Sequence, residues 1–471
     1  MIVDKKNKGV LTLYRLAADV FYRCVDNQVF VYKTDSSKIF IYTNELDSIL
    51  KLFAKEEYKA SPYLDNYFIE FLNSLVDKGI LEKPKELIEN KNDIESQVKN
   101  AVENKLYNVM FELTYRCNEK CRYCYCVVDN NKKELTKEEI LNIIDELKAM
   151  GVFELTFTGG DPFVRHDSID IIQYAYKQGF VIDLFTNGNL ISDSDLIKLR
   201  ACHLRSLSVS IYSDNPEKHD EFTTIKGSFE KSIELLKKAK LIGIPINIKT
   251  TVLNFNHTEI DKILKLASNI GATVQVSMAI SARNNGDLSS KDYDIKSIEE
   301  AVEVMKKVGD NIRINSNGES FINTNRENIE RVDICGAGRH GLSINPYGEV
   351  YPCNSLLIKC GDLRKQSIKE IWESSEELSK IRKYTMDQVE GCENCEHIKY
   401  CSFCPGSALL EKGSPLVKYE GACRANIARN MYIKERRWNY ASTKNYCGGY
   451  IWSICSKLLH KNIWKQLWYY L

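Results

Sequence analysis

Three cysteines lie within eight residues, at Cys117, Cys121 and Cys124, directly after the apolar run 109–113. Three thiolates can hold three corners of a four-iron cluster and leave the fourth iron open to a ligand. An open iron suits chemistry at the cluster rather than simple electron storage. Spacing alone leaves two other interpretations open: a disulfide, and a zinc site that takes Cys126 as a fourth ligand in a tight geometry.

Composition favours a metal or redox site over a disulfide. The chain has 471 residues, of which 16 are cysteine, and its net charge is +1. Its first residues lead into no apolar stretch, which predicts no secretory signal and a cytoplasmic protein. Many cysteines in such a chain point to metal or redox chemistry. The near-neutral charge predicts no nucleic-acid partner, and no early apolar run is long enough to predict a membrane span.

A regular alternation of strand and helix patterns between residues 106 and 290 must position the cysteine loop. Strands are expected at 107–113, 153–158, 181–186, 206–212, 245–252 and 273–279, with helical periodicity between them. Such a series predicts an α/β fold with a parallel sheet and right-handed crossovers. Six units rather than eight predict an open, partial (β/α)6 TIM-like barrel, and ligands in such folds bind at the carboxyl ends of the strands.

The ends of these strands carry residues suited to a site. The second strand runs into Gly159, Gly160 and Asp161, where paired glycines let a ligand approach the backbone and the carboxylate adds an acceptor. A plain turn is the alternative for this segment. The third strand ends at Asn187, and the fourth carries Ser210. All these ends share one rim with the cysteine loop, so we predict a single site there.

The segments that flank the barrel are expected to form separate units. Residues 1–90 combine short strands with two helices, as in a winged-helix-like α+β module, and residues 91–105 form a charged linker. Residues 291–334 bridge to a cysteine-rich C-terminal domain at 335–429. Residues 430–471 form an aromatic tail, whose simplest interpretation is a helix packed on the body.

The C-terminal domain contains a second set of cysteines. They are Cys335, Cys353, Cys360, Cys392, Cys395, Cys401, Cys404 and Cys423. Gly348 predicts a hairpin turn that delivers Cys353. The pairs 392/395 and 401/404 have zinc-ribbon spacing, but zinc sites built on them would leave three of the cysteines without a role.

Together these motifs resemble radical S-adenosylmethionine (SAM) enzymes. The spacing of Cys117, Cys121 and Cys124, the motif Gly159–Pro162 and the six βα units match that superfamily. The block 335–423 resembles its SPASM extension, which holds auxiliary iron–sulfur clusters, although the 401/404 spacing is one residue shorter than in many members. Residues 1–90 resemble the precursor-peptide recognition element of ribosomal natural-product maturases.

The resemblance implies SAM and three [4Fe–4S] clusters as cofactors. It places the catalytic cluster on Cys117, Cys121 and Cys124, and the SAM contacts on Tyr123, Gly159, Gly160, Asp161, Asn187 and Ser210. Tyr123 would lie near the adenine, and the glycine motif would bind the methionyl amine. Some relatives carry an Arg after a His-Asp pair; this chain does not, which leaves Lys226 as the candidate partner of the SAM carboxylate.

The resemblance also divides the later cysteines between two auxiliary clusters. One would take Cys392, Cys395, Cys401 and Cys423. The other would take Cys335, Cys353 and Cys404, with a fourth site that is either open or filled by Cys360.

The implied function is a peptide maturase of the sactipeptide type. It would cleave SAM reductively to a 5′-deoxyadenosyl radical, abstract hydrogen from a ribosomally made precursor peptide and form a Cys thioether crosslink. Its partners would be that peptide, bound through its leader, and a flavodoxin- or ferredoxin-type reductant. The alternatives are a carbon–carbon crosslinking, epimerising or sulfatase-maturating-type radical SAM enzyme and, more remotely, a zinc-binding nucleic-acid module.

Overall fold

The computed structural model describes residues 106–278, 280–315, 334–398 and 401–444, together with short segments between residues 2 and 82. The strands are β1 Ile2–Val3, β2 Leu11–Thr12, β3 Arg15–Leu16, β4 Val20–Val25, β5 Gln28–Lys33, β6 Lys38–Thr43, β7 Leu81–Glu82, β8 Asn108–Thr114, β9 Glu154–Gly159, β10 Val181–Thr186, β11 Ser206–Ser210, β12 Ile246–Thr251, β13 Thr273–Ser277, β14 Gly341–Ile344, β15 Glu349–Tyr351 and β16 Gly361–Asp362. The helices are α1 Lys137–Ala149, α2 Ser168–Lys177, α3 Asp193–Ala201, α4 Pro216–Thr223, α5 Ser228–Leu241, α6 Ile260–Ile270, α7 Ile298–Asn315, α8 Ile368–Ser374, α9 Glu376–Ile381, α10 Pro405–Lys412 and α11 Glu420–Lys444.

Strands β8 to β13 form the parallel sheet that the sequence predicts, in the order β13-β12-β11-β10-β9-β8. Helices connect these strands, and the predicted bounds agree with the observed ones to within about two residues. Local signals fix the helix starts. Thr136 and Ser192, for example, cap α1 and α3 with reciprocal side-chain and backbone hydrogen bonds. The α/β fold class is therefore confirmed.

The two faces of this sheet differ in polarity. Successive side chains of a strand point to opposite faces. On β8 and β9, residues such as Phe111 and Phe157 are fully buried in the main hydrophobic core against the helices. The alternate positions of the barrel strands point into the barrel. They carry polar groups such as Glu112 on β8, Asp183 on β10 and Asn247 on β12. The barrel interior is consequently a polar space.

The hairpin predicted before Cys353 is present, and it also extends the barrel sheet. Strands β14 and β15 pair antiparallel around a turn in which Gly348 has φ +84°. Strand β14 runs parallel to β8, with Gly341 opposite Asn108 and Ile344 opposite Phe111. Backbone hydrogen bonds thus join residues 335–429, which were predicted to form a separate domain, to the first barrel strand in one nine-stranded sheet.

The N-terminal segment contains a three-stranded antiparallel sheet of β4, β5 and β6. These strands agree with the short strands predicted for residues 1–90. Residues 74–77 are helical, Gly79 follows with φ +66°, and Leu72 and Leu75 pack on Val31 in a small core. Most of the two helices predicted here, and the linker predicted at 91–105, lie outside the described residues.

The C-terminal helix α11 packs against α7 of the bridging region. It runs without a break from Glu420 to Lys444, so the domain boundary predicted at 429/430 lies inside a helix. Residues 316–333 and 445–471 lie outside the described residues. Within the part of the chain that is described, no helix combines the length and apolar character needed to cross a membrane.

Candidate active site

The cysteine loop leaves the carboxyl end of β8 and is held in place by α4. The backbone N–H of Lys120 donates to the Thr223 carbonyl (3.2 Å), and that of Arg122 donates to the Phe222 carbonyl (3.3 Å). The Cys124 N–H closes a turn on the Cys121 carbonyl (3.0 Å). All three loop cysteines are partly buried. Sequence analysis missed α4, although Asn215 followed by Pro216 is a typical helix start.

The donor set of this loop fits an iron–sulfur cluster. Cysteine thiolates are the usual ligands of such clusters. Each thiolate binds its own iron, so the three sulfurs need not converge on one point. Among the described residues, no group of three or more His, Cys, Asp or Glu side chains is placed to hold a single metal ion. Burial raises the pKa of Cys117 to about 12, which iron ligation would offset.

Asn187 lies against the first cysteine of the loop, as expected for a residue of this rim. Its Nδ2 donates to Asn118 Oδ1 (2.7 Å) and lies 3.6 Å from Cys117 Sγ. Glu119, which sequence analysis missed, accepts from Cys121 Sγ (3.2 Å) and from Asn189 Nδ2 (2.7 Å). These amide and carboxylate contacts tie the loop to the end of β10.

The paired glycines bring two segments of this chain together. A Cβ at Gly159 would overlap the Thr114 carbonyl oxygen, and one at Gly160 would overlap the Arg116 carbonyl and lie 2.6 Å from that of Tyr115. The Gly160 N–H donates to the Thr114 carbonyl (2.7 Å). The expected close approach therefore exists, but the group that approaches is the backbone entering the cysteine loop. The glycines let β9 lie directly against that backbone.

Asp161 differs from the expectation that its carboxylate serves as a free acceptor for the cofactor. Its side chain is fully buried. Oδ2 accepts from Thr186 Oγ1 (2.7 Å) and the Asn187 N–H (2.8 Å), and Oδ1 accepts from the Phe163 N–H (2.9 Å). Three internal donors satisfy the carboxylate, so in this structure Asp161 fixes the end of β10 and thereby positions Asn187.

Tyr123 lies in a buried aromatic cluster on the other side of the loop. Its ring stacks on Phe222 at a centroid distance of 5.5 Å and meets Tyr212 edge-on at 5.5 Å. Its hydroxyl contacts the Tyr212 hydroxyl (3.3 Å) and the Thr251 hydroxyl (3.2 Å). His219 packs behind Tyr212 and accepts its backbone N–H (3.3 Å). Ser210 ends β11 and is partly exposed.

Electrostatic interactions indicate which of the later cysteines lie near one another. Burial raises the pKa of Cys353 to about 12, with further contributions from the neighbouring Cys404 and Cys335. The pKa of Cys392 is likewise raised by burial and by its neighbours Cys423 and Cys395. These neighbours agree with the membership predicted for the two auxiliary clusters, which stays a prediction. The remaining member, Cys401, accepts a hydrogen bond from Asn426 Nδ2 (2.7 Å).

Cys360, the alternative fourth ligand, lies in the main hydrophobic core. It is buried, and its thiol donates to the Ile358 carbonyl (3.3 Å). Burial raises the pKa of Cys360 to about 12. A core thiol of this kind behaves as a small hydrophobic residue. Cys353 also packs against this core and contributes to the raised pKa of Cys360, so these two cysteines lie near each other.

A small cavity of about 40 Å³ lies between the end of the catalytic loop and the segment that follows Cys353. Tyr125 of the loop lines one side, while Asn354 and Ser355, which follow Cys353, line the other. The Tyr125 hydroxyl donates to Glu112 Oε1 (2.6 Å). Glu112 is fully buried, and burial raises its pKa to about 7. The feature of the sequence that could have identified Glu112 is the presence of an acidic residue within the otherwise apolar strand β8.

Comparison with known proteins agrees with this geometry. Residues 111–267 match the family model described as the radical SAM superfamily, and residues 335–396 match SPASM, an iron–sulfur cluster-binding domain. The AdoMet-dependent heme synthase of Methanosarcina barkeri is 31% identical over 297 residues, which is 58% of this chain and 84% of that protein. The mycofactocin maturase MftC of Mycolicibacterium smegmatis is 26% identical over 284 residues, which is 58% of this chain and 71% of that protein.

Solved structures show the same fold. SuiB of Streptococcus suis, bound to its precursor peptide SuiA, superposes with a TM-score of 0.61 at 14% identity. The match covers 87% of this chain and 100% of the SuiB chain. The enzyme anSMEcpe with bound AdoMet superposes with a TM-score of 0.57 at 18% identity. The match covers 72% of this chain and 99% of the anSMEcpe chain. The fold is therefore a partial barrel with a SPASM C-terminal domain. Since the chain spans most of a 31% identical relative and matches the family model across its barrel, it is an enzyme that belongs to the radical SAM superfamily.

Proposed function

We propose that this enzyme matures a ribosomally made precursor peptide by forming a thioether between a cysteine and a carbon of another residue. The observation that carries the proposal is the pairing of the hairpin that leads to Cys353 with β8, the strand that leads into the catalytic cysteine loop. Tyr125, which follows Cys124, and Asn354, which follows Cys353, also line one small cavity. A substrate bound over this junction would lie beside both the catalytic loop and the auxiliary group.

The cysteines would hold three [4Fe–4S] clusters: one on Cys117, Cys121 and Cys124, one on Cys392, Cys395, Cys401 and Cys423, and one on Cys335, Cys353 and Cys404. When bound, the catalytic cluster with SAM supplies a 5′-deoxyadenosyl radical for hydrogen abstraction, and the third cluster supplies an open iron for a substrate thiolate. The burial of Cys360 in the hydrophobic core favours an open coordination position on the third cluster, because the Cys360 thiol already donates a hydrogen bond to the Ile358 carbonyl.

The chain's own residues would orient the reactants and exclude water. Asn187 and the glycine pair fix the catalytic loop against the ends of β9 and β10. The aromatic cluster around Tyr123 would bind the adenine and close one side of the site. Tyr125 lines the cavity, and its hydroxyl donates to the buried Glu112, which would be able to accept a proton released by the substrate.

Residues 1–90 would recognise the leader of the peptide. The three-stranded antiparallel sheet supports this role, since β6 pairs only with β5 among the described residues and leaves an edge to which an extended peptide can add. The precursor peptide solved with SuiB gives a precedent in the same fold class. A flavodoxin- or ferredoxin-type protein would supply electrons, in the cytoplasm.

A second candidate function comes from the relative with the higher identity. That protein is named a heme synthase, so a tetrapyrrole substrate is the competing proposal. Carbon–carbon crosslinking, epimerisation and sulfatase-type maturation are competing outcomes within the peptide class. The non-enzymatic zinc module no longer stands, because the chain is a radical SAM enzyme.

Mass spectrometry separates these candidates. The reconstituted enzyme is incubated with SAM, reductant and the peptide encoded beside its gene. We expect each product to lose the mass of two hydrogen atoms, and its cysteine to resist alkylation by iodoacetamide. The same mass loss with an alkylatable cysteine would indicate a carbon–carbon bond, and unchanged mass with deuterium uptake would indicate epimerisation. Turnover of a tetrapyrrole with none of the peptide would overturn the proposal.

A truncation tests the leader-binding role. Removing residues 1–90 should lower peptide turnover by roughly tenfold or more, because the leader no longer concentrates the substrate at the site. The iron content should stay near twelve per chain, as three four-iron clusters require. Equal turnover by the trimmed and full-length enzymes would remove the recognition role and leave the thioether assignment untouched.

A further inference from the structure

A partly buried lysine projects into the barrel interior from β12. On this strand Ile246, Ile248 and Thr250 are buried, while the alternate residues, Lys249 among them, are only partly buried. Thr251, two residues further on the same face, contacts the Tyr123 hydroxyl beside the cysteine loop. Because side chains alternate along a strand, Lys249 faces the same interior space.

Lys249 lies beside the strand end expected to contact the cofactor. It is directly opposite Ser210 in the register of β11 and β12. Its Nζ lies over the Phe185 ring, 3.2 Å from the centroid, and Phe185 precedes Thr186 and Asn187 at the end of β10. The ammonium is thus placed among three strands whose carboxyl ends form the site.

The ammonium lacks an anionic partner in the described part of the chain, where no carboxylate oxygen lies within 4 Å of it. The nearby acid, Asp183, is held by Arg205, whose Nε lies 3.1 Å from each carboxylate oxygen. Arg205 also pairs with Glu154 at 2.9 Å. Burial lowers the pKa of Lys249 to about 8, so the group is still largely charged at neutral pH. A buried cation is stabilised when an anion pairs with it.

Lys226, the candidate from sequence, is in a different environment. It lies on the connection between α4 and α5 and is exposed to solvent. Its neighbour Gly227 donates to Asp220, which caps the start of α5. Nothing in the connection directs Lys226 toward the barrel interior, whereas Lys249 already lies there.

We propose that the Lys249 ammonium binds the carboxylate of the methionyl group of SAM, beside Ser210. The inference rests on membership of the superfamily and is independent of the peptide-maturase assignment. An ammonium–carboxylate pair formed away from water would fix the end of the cofactor and neutralise a charge that the barrel otherwise leaves without a partner. Lys249 is therefore a positioning residue for the cofactor.

The experiment compares SAM with decarboxylated SAM, which lacks the carboxylate. Dissociation constants of both are measured by anaerobic equilibrium dialysis on the reconstituted wild type, Lys249→Met and Lys249→Arg. We expect Lys249→Met to bind SAM roughly 10- to 100-fold more weakly and decarboxylated SAM nearly as well as the wild type. The arginine variant, which keeps the charge, should recover part of the preference for SAM.

Two control variants and two outcomes decide the proposal. Lys237→Met removes a lysine from the exposed face of α5 and should bind both ligands like the wild type. Lys226→Met should do the same; loss of the SAM preference in that variant would transfer the role to Lys226. Equal weakening of both ligands by Lys249→Met would indicate only a structural role. Unchanged SAM binding with a raised KM for substrate would assign the lysine to a substrate anion, and either result overturns the proposal.

Discussion

Two glycines control how closely the cysteine loop can lie against the second barrel strand. Side-chain atoms at Gly159 or Gly160 would occupy the positions of the carbonyl oxygens of residues 114–116. Backbone carbonyls cannot move aside as a flexible side chain can. The carbonyls in question belong to the residues that immediately precede Cys117, so any displacement reaches the first cluster ligand.

We predict that Gly160→Ala selectively removes the catalytic cluster. The added methyl group must push the Arg116 carbonyl away and shift the loop. Reconstituted protein should then hold about eight irons per chain instead of about twelve, with the auxiliary clusters retained. Iron and sulfide analysis measures the loss. Gly413→Ala is the matched control, since Gly413 has positive φ but open space around it, and a full iron content in both variants would contradict the prediction.

The buried carboxyl Glu112 makes stability depend on pH. Its pKa is raised by burial from an ordinary value near 4.5 to about 7. Between these values the unfolded chain is ionised while the folded one keeps its proton, so the free energy of unfolding falls as pH rises from about 4.5 to 7. The full effect is roughly 3 kcal/mol. Glu112→Gln should flatten this part of the profile in anaerobic urea titrations; parallel profiles would contradict it.

At the level of elements, β8 is paired on both sides. One neighbour is β9, and the other is β14 from the auxiliary domain. Without the second neighbour, the N–H and C=O groups along one side of β8 would form an exposed edge. Exposed edges of apolar strands promote association between molecules.

We therefore predict that a chain truncated after residue 333 aggregates. Size-exclusion chromatography and the soluble fraction after expression measure this directly. The matched control is the full-length chain with Cys335, Cys353 and Cys404 changed to Ala, which loses one proposed cluster but keeps β14. That variant should remain soluble, so the two proteins separate the loss of a cluster from the loss of a strand. A soluble, monomeric truncation would contradict the structural role of β14.

Sequence patterns predicted those elements whose signals are local. The six barrel strands appear as apolar runs between turns, and the hairpin before Cys353 follows from Gly348. The pairing of β14 with β8 was missed because it depends on residues far apart in the chain. The role of Asp161 was missed for a similar reason, since two of its three donors, Thr186 and Asn187, lie at the end of β10. Motifs identify residue types, whereas partners across strands require the fold.

At the level of the whole molecule, the two cysteine groups flank one sheet. The catalytic loop follows β8, and the hairpin that carries Cys353 is hydrogen-bonded to that same strand. The backbone N–H of Leu135 adds to this junction, since it donates to the Pro346 carbonyl (2.7 Å). Barrel and auxiliary domain are therefore expected to hold a fixed relative position, which a reaction between two metal sites needs.

The pairing of β14 with β8 also has a consequence for the synthesis of the chain. The two strands are separated by about 230 residues, so the first barrel strand emerges from the ribosome long before its outer neighbour. At translation rates of roughly 5–20 residues per second, the delay is on the order of 10–50 s. During that interval the nascent barrel carries an unpaired strand and a cysteine loop without its final support. Chaperone binding is expected during this interval and cluster insertion after the hairpin is complete, so this distant contact is expected to control the timing of assembly.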